Sequence, residues 1–112
     1  MHEAALAESI LKIAFDTAEK NSAKKITAIS LKLGDMAGVE VEALKLSFKV
    51  LTKDTMAEGA ELKINRIPIS AKCNKCGKIF QVPHYNFFCP ECDGILILKS
   101  GRELLVEFID CE

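Results

Sequence analysis

The sequence predicts an α+β fold, in which two helices lie on one face of a small three-stranded sheet and a cysteine-rich module is inserted before the last strand. Two observations lead to this prediction. Helical and alternating apolar patterns succeed one another in the order helix, strand, helix, strand, and a further alternating segment follows the cysteines. A strand at the end of the chain needs a sheet to join, and the two earlier strands offer one.

The two helices are predicted over residues 3–20 and 41–54, where apolar side chains recur at helical spacing. Asn21-Ser22 ends the first pattern, and charged residues lie largely outside its apolar stripe. That stripe consists of Leu6, Ile10, Ile13, Ala14 and Ala18. The apolar face of the second helix consists of Leu44, Phe48 and Leu51.

Period-two alternation predicts three strands, over residues 25–33, 60–67 and 103–109, and Pro68 stops the second of them. The positions expected to share one face in each strand are Ile29, Leu31 and Leu33, then Leu62 and Ile64, then Leu104, Val106 and Phe108. Helices and strands should enclose one aliphatic core. We expect its central members to be Leu6, Ile10, Ile29, Phe48 and Phe108.

Four of the five cysteines form two Cys-x-x-Cys pairs, Cys73-Asn74-Lys75-Cys76 and Cys89-Pro90-Glu91-Cys92, with twelve residues between them. This spacing can bring four thiolates to the corners of a tetrahedron, an arrangement that suits Zn²⁺. With sulfur at all four corners the site has no place for water, so the zinc should be structural. Gly77 and Asp93-Gly94 follow the pairs, where a tight turn often needs positive φ.

This metal site predicts a zinc-ribbon-like module and a chain of two domains. A zinc-binding domain covers 70–98. The remainder, 1–69 plus 99–112, forms a discontinuous α/β domain. The aromatic side chains of the module are expected in its own small core, and these are Phe80, Tyr85, Phe87 and Phe88.

The cysteines have other chemical uses. Disulfides need an oxidising compartment, whereas residues 1–20 form a charged amphipathic pattern unlike a signal peptide, so a cytoplasmic location is expected. A redox Cys-x-x-Cys site normally accompanies a βαβ pattern, which is absent around Cys73. Iron fits the same four thiolates as zinc. The fifth cysteine, Cys111, is interpreted as an ordinary thiol at a strand end.

Composition and charge argue against several classes of function. The net charge is −1, whereas a nucleic-acid protein usually carries a basic face. A small basic cluster, Lys72, Lys75 and Lys78, faces acids of the second cysteine hairpin, Glu91 and Asp93. No apolar run approaches the about 20 residues of a transmembrane helix. We therefore expect neither a nucleic-acid nor a membrane partner, and without a triad or a carboxylate pair we expect no enzyme.

The first three residues, Met1-His2-Glu3, form a second candidate metal site. The α-amine, the His2 amide nitrogen and the His2 imidazole can close adjacent chelate rings, and the Glu3 amide or carboxylate can add a fourth donor. Such a planar set of nitrogen and oxygen donors suits Ni²⁺ or Cu²⁺. The first N–H groups of a helix have no intrahelical partner, so deprotonating them breaks no helical hydrogen bond. The site needs an unprocessed and unblocked Met1.

Taken together, several motifs resemble those of the HypA/HybF family of hydrogenase nickel-insertion accessory proteins. They are Met1-His2-Glu3, Gly38-Val39-Glu40 through Ala43-Leu44, Ala57-Glu58-Gly59-Ala60-Glu61-Leu62 and the two cysteine pairs. The similarity spans essentially the whole chain, and the combination is specific where each part alone is not.

The resemblance implies a non-enzymatic metallochaperone that delivers nickel to the large subunit of [NiFe]-hydrogenase and, in some organisms, to the urease maturation system. It implies a GTPase partner of the HypB type. His2 would be the nickel ligand, supported by Met1 and Glu3. The zinc ligands would be Cys73, Cys76, Cys89 and Cys92. Some members carry His beside the cysteine pairs, where this chain has Ser70 and Asn86, and His84 is expected on the knuckle surface.

Two functions of other classes compete with the metallochaperone. A zinc-ribbon module can bind protein or nucleic acid, and a four-thiolate iron site can carry electrons in the manner of a rubredoxin. Metal analysis and the colour of the purified protein separate the second from the others.

Overall fold

In the computed structural model, which describes residues 2–82 and 85–112, the chain forms two helices and two small sheets. The elements are α1 (Glu3–Lys20), β1 (Ile26–Gly34), α2 (Val41–Leu51), β2 (Glu61–Ile67), β3 (Ser70–Cys73), β4 (Ile79–Gln81), β5 (Leu96–Ser100) and β6 (Leu104–Cys111). The strand orders are β2-β1-β6 and β4-β3-β5. The predicted α+β class is confirmed, with the second sheet belonging to the inserted module. Neither of the helices has the length and apolar character needed to cross a membrane.

The chain divides into two compact units. The helical unit comprises Met1–Lys32, Gly38–Asn65 and Leu105–Glu112, and the cysteine unit comprises Leu33–Ala37 and Arg66–Leu104. The domains predicted from the sequence, 1–69 plus 99–112 and 70–98, are a statement about independent folding and stay a prediction.

In the helical unit, α1 and α2 pack on the first sheet through one continuous core. The α1 residues of this core recur at helical spacing, and three are alanines, whose small side chains let the helix lie close to its neighbours. The fully buried residues from the other elements include Ile26, Ile29 and Leu31 on β1 and Leu44 on α2. Phe48 is also buried, and Leu6 packs at the edge of this core. These contacts confirm the predicted positions of Ile10, Ile29 and Phe48.

Two predicted core positions are wrong. Ile13 is 50% exposed, because the buried stripe of α1 is centred on the residues around Ile10 and Leu11. Phe108 is 64% exposed. On β6 the residues that pack on the core are Val106 and Ile109, which an uninterrupted alternation cannot place on the same face. The alternation therefore changes phase within β6, and Phe108 turns outward.

The second helix ends earlier than predicted, at Leu51 instead of residue 54. Asp54 adopts the left-handed region with φ +62°, which stops a helix. The Asp54 amide donates to the Glu58 carboxylate at 3.3 Å, so this turn satisfies its own polar groups.

In the cysteine unit, β3 is the central strand and pairs antiparallel with β4 and β5. Its core is small and includes two of the metal-site cysteines; the buried residues are Ile69, Ala71, Cys73, Val82, Cys89 and Leu96. Of the four aromatic side chains predicted in this core, Phe80 and Phe87 pack against it. Tyr85 and Phe88 are 59% and 74% exposed, so their placement in the core is wrong.

Candidate metal sites

Two hairpins of the cysteine unit bring the four predicted cysteines together. One ligand atom from each of Cys73, Cys76, Cys89 and Cys92 lies within 4.8 Å of all the others. Cys73 and Cys89 are buried, Cys92 is half-buried and Cys76 is exposed. The fifth cysteine, Cys111, is exposed at the end of β6, in agreement with its interpretation as a thiol at a strand end.

The spacing of the sulfurs fits a tetrahedral metal ion. The Sγ atoms of Cys73 and Cys92 are 3.5 Å apart, and those of Cys76 and Cys89 are 3.8 Å apart. A tetrahedron with Zn–S bonds of about 2.3 Å has edges of about 3.8 Å. Four thiolates at this spacing could hold a metal such as zinc or iron, and they leave no corner for water.

Backbone amides point at the sulfurs, and at Cys73 they favour the ionised form. The amides of Cys76 and Lys75 each donate to Cys73 Sγ at 3.4 Å, and together they hold the pKa of Cys73 down at about 6. Glu91 donates in the same way to Cys89 Sγ at 3.5 Å. Such N–H donors around a thiolate ligand are the usual outer shell of a metal site.

The thiols cannot all ionise without a cation. The Gly94 amide by itself lowers the pKa of Cys92, but the shared hydrogen bond with Cys73 and burial outweigh it and raise this pKa to about 12. The Lys78 amide by itself lowers the pKa of Cys76, but loss of hydration and the hydrogen bonds shared with the Cys73 and Cys89 thiols outweigh it and raise this pKa. Metal binding must expel these protons, so the affinity of the cluster for its metal should rise with pH.

The two glycines beside the cluster have different roles. Gly77 has φ +75°, as expected for a tight turn after the first cysteine pair. Gly94 does not adopt a left-handed conformation. Glycine is required at position 94 because the surrounding atoms leave no space for a side chain. A Cβ at position 94 would lie 2.5 Å from Cys73 Sγ and 3.0 Å from Asn74 Oδ1.

We expect Gly94→Ala to weaken metal binding by about tenfold to a hundredfold, the usual effect of disturbing groups around a metal ligand. The added methyl group must displace the Cys73 sulfur, which two amides otherwise fix. Competition with a chromophoric chelator measures the affinity. Gly77→Ala is the matched control, because a Cβ there meets nothing nearer than 4.0 Å and adds only backbone strain. Equal affinities for the two variants would contradict the steric role of Gly94.

Ion pairs and one amide side chain tie the two cysteine hairpins together. Lys75 Nζ lies 2.8 Å from Asp93 Oδ1, and Lys78 Nζ lies 2.8 Å from Glu91 Oε1. The predicted balance of charge between the hairpins is thus present for these two lysines. Asn74 Oδ1 accepts from the Ile95 amide at 3.0 Å, an anchoring contact that the sequence analysis missed.

The N-terminal candidate site lies at the start of α1. His2 is the N-cap residue, with extended backbone, and its side chain makes no capping hydrogen bond. Leu6 donates the first hydrogen bond of the helix to the His2 carbonyl at 3.1 Å. The amides of Glu3 and the next residues therefore precede the first intrahelical donor. Met1 and His84, both considered in the sequence analysis, lie outside the described residues.

Glu3 connects the starts of the two helices. Its Oε2 accepts a hydrogen bond from the Glu40 amide at 3.2 Å, and this bond lowers the pKa of the Glu3 carboxyl. Glu40 is in turn the N-cap of α2, where its side chain accepts from the Glu42 amide. An acid directly before a predicted helix is a capping signal that could have identified Glu40. Its contact with Glu3 could not be predicted from local sequence, because the two residues are 37 positions apart.

Comparison with known proteins gives consistent results. The family model described as "Hydrogenase/urease nickel incorporation, metallochaperone, hypA" matches residues 1–111. The hydrogenase maturation factor HypA of Caldanaerobacter subterraneus is 37% identical over 114 residues, covering 100% of both chains. The factor of the same name from Chlorobium phaeobacteroides is 39% identical over 113 residues, again covering 100% of both.

Solved structures share the fold. A structure described as the solution structure of HypA protein covers 100% of this chain and 97% of its own, with TM-score 0.73 and 20% identity. The solution structure of the Ni metallochaperone HypA from Helicobacter pylori covers 99% of this chain and 97% of its own, with TM-score 0.66 and 19% identity. The resemblance inferred from the sequence motifs is confirmed. Because the family model spans residues 1–111 and relatives above 30% identity match from end to end, the chain belongs to the HypA family of hydrogenase and urease nickel-incorporation metallochaperones.

Proposed function

We propose that this protein binds Ni²⁺ at its N-terminus and passes it on during maturation of [NiFe]-hydrogenase, while the four cysteines hold a structural zinc. The observation that carries the nickel proposal is the exposure of the His2 side chain and its lack of a capping hydrogen bond. This residue is exposed at the N-cap of α1, and its ring is not used to cap the helix. An imidazole next to the chain terminus is thus available to a metal and to a partner.

The proposed nickel ligands are the Met1 amine, the His2 amide and imidazole, and a donor from Glu3. The Glu3 carboxylate already accepts the Glu40 amide, which favours the Glu3 backbone nitrogen as the fourth donor. That nitrogen precedes the first intrahelical donor, Leu6, so its deprotonation costs α1 no hydrogen bond. Since binding releases protons, nickel affinity should rise with pH.

Transfer of the metal follows from the position of this set. Ligands at a chain end are accessible from outside, so an acceptor can replace them one at a time by ligand exchange. The four-cysteine site has the opposite character, because sulfur fills every corner and amides fix the thiolates. Zinc there would fold and stiffen the cysteine unit, which then serves as a recognition platform.

The proposed partners are a GTPase of the HypB type, the hydrogenase large subunit and, in some organisms, the urease maturation system. The proposed location is the cytoplasm, where reduced thiols can bind zinc. Calorimetric titration of the purified chain with such a GTPase tests the first partnership. Absence of heat at micromolar concentrations of both proteins would remove it.

Nucleic-acid binding by the zinc ribbon, one of the competing functions, receives less support from the structure. A nucleic-acid ribbon needs a group of unpaired basic side chains, whereas Lys75 and Lys78 are each engaged by a carboxylate of the opposite hairpin, which leaves Lys72, within the part of the chain that the structure describes, as the unpaired member of the predicted basic cluster. Metal analysis distinguishes zinc from iron, and a colourless purified protein would exclude the electron-carrier alternative.

His2→Ala should abolish tight Ni²⁺ binding and leave zinc at one ion per chain. The imidazole is the only strong side-chain nitrogen at that end, and its loss removes one chelate ring. Calorimetry with Ni²⁺ and metal analysis measure the two quantities. His84→Ala, which removes the chain's other histidine, is the matched control and should bind nickel normally. If His2→Ala keeps its nickel affinity, the site lies elsewhere.

A further inference from the structure

The side of the second sheet that faces away from its core carries apolar side chains. On β3, Lys72 is paired with Ile79 of β4 on one side and with Ile97 of β5 on the other. Directly opposed residues of neighbouring strands project from the same face. Ile79 and Ile97 are 68% and 52% exposed, so two isoleucines flank an exposed lysine in one row across the sheet.

A second row continues this surface. Ile95 lies two positions before Ile97 and therefore on the same side of the chain, and it is bridged to Phe88. Ile95 is 52% exposed and Phe88 is 74% exposed. We call the surface formed by Ile79, Ile97, Ile95, Phe88 and Lys72 the outer face.

The outer face has no part in the core of its own unit. The alternate residues of the same strands, such as Ala71 and Leu96, point inward and supply that core. Single exposed apolar residues are ordinary, but a group of four large ones on one sheet face, arranged around a single lysine, marks an interaction surface. Exposed apolar side chains on the outer face lower solubility and do not stabilise the fold. Binding of a partner to this face gives a physical reason for them.

The charges on the outer face indicate the chemistry of that occupant. Among the described residues, Lys75 and Lys78 have carboxylate partners, whereas Lys72 and Lys99 have none within ion-pair distance. Lys99 lies further along β5, at the register irregularity between the Ala71–Leu98 and Ser70–Ser100 pairs, where simple alternation no longer fixes the side on which a residue projects, so Lys72 is the charge that the pairing places on the outer face. The uncompensated positive charge of Lys72 thus sits among apolar side chains, and it complements a segment whose docking side carries both apolar and acidic residues.

A second copy of the chain fits this face poorly. A two-fold dimer buries the same patch of both subunits against itself, so Lys72 at the centre would lie near its symmetry mate. A nucleic acid would leave the four apolar side chains without partners. We propose that the outer face docks an acidic amphipathic segment of a partner protein, with Lys72 as the central ion-pair residue. This surface lies on the cysteine unit and requires no nickel, so the proposal is independent of the N-terminal site.

A synthetic peptide tests this directly. One face of this peptide carries Leu, Phe and Glu side chains. A second peptide has Lys in place of each Glu. Both are titrated into the zinc-loaded, ¹⁵N-labelled full chain and followed by amide chemical shifts and anisotropy. The acidic peptide should bind and shift the amides of Lys72, Ile79 and Ile97, while the basic peptide should not bind.

Variants of the chain test where the peptide binds and how charge contributes to its binding. Lys72→Glu should lower the affinity for the acidic peptide by about tenfold or more and allow the basic peptide to bind. Ile79→Ser should also weaken binding, whereas Leu46→Ser, which removes a 64% exposed leucine of α2, should not. Zinc content confirms that each variant is folded around its metal. The proposal is overturned if neither peptide shifts the outer face, if Lys72→Glu binds the acidic peptide unchanged, or if sedimentation shows that the face is buried in a dimer.

Discussion

Replacing Cys76 by alanine should release the zinc and disorder the cysteine unit, while the helical unit stays folded. Three thiolates leave the site open to water and remove one of four charges, and structural zinc sites contribute on the order of 10 kcal/mol to folding. The core of this unit is small and includes two of the ligand cysteines, so it has little else to hold it together. We expect loss of bound metal and loss of amide protection over 70–98.

Cys76 is the informative position because it is the exposed member of the cluster. Truncating Cys73, which is 2% exposed, would also leave a cavity in the core and mix two effects. Cys111→Ala is the matched control, since this thiol is exposed and lies outside the cluster; it should keep both metal and fold. Metal analysis and amide exchange measure the outcome for both variants.

The helical unit should survive because its core is its own. Ile10, Ile29, Leu44 and Phe48 all pack within one cluster that contains no cysteine of the metal site. Far-UV dichroism of Cys76→Ala should therefore retain its helical signal. A complete collapse would show that the chain unfolds as one cooperative unit and would contradict the predicted domains. The extent of lost protection also locates the boundary, since the compact unit in the structure reaches Arg66 and Leu104.

The cluster of four cysteines was predictable because two Cys-x-x-Cys pairs bring four thiolates together, and a tetrahedral metal ion is one of the few partners that can bind all four. The amide cage around it follows from the same turns, as Lys75 and Cys76 donating to Cys73 show. The need for glycine at position 94 did not follow, because it arises from a contact with Cys73, far away in sequence. Spacing thus predicts which residues meet, and packing decides how closely.

Periodicity predicted the elements better than it predicted burial. Ile13 and Phe108 have the right chemical character for a core, but a pattern of apolar residues does not define the exact direction of a helix face or a phase change within a strand. Phe88 failed for a different reason: the pattern marks it as apolar and cannot say whether its partner lies within the chain. That error is itself informative, because Phe88 belongs to the exposed outer face.

Adding a residue or two ahead of Met1 should abolish most of the nickel affinity without removing any side chain. The addition converts the α-amine of Met1 into an amide and moves the free amine away from His2. A site made of side chains alone would tolerate this change, since His2 and Glu3 remain at the start of α1. A site built on the terminal amine and the following amides would lose a chelate ring and its planar arrangement of donors.

The extended protein should fold and keep its zinc, because the four cysteines lie in the other unit. A yellow planar-Ni²⁺ absorption band is expected for the native chain and should be absent from the extended one. The same residues added after Glu112 form the matched control, which should bind nickel as the native chain does. If the N-terminally extended protein binds Ni²⁺ as tightly, with the same spectrum, then the amide chelate is wrong. His2 would in that case act as an ordinary side-chain ligand, and a metallochaperone that binds nickel through side chains would remain.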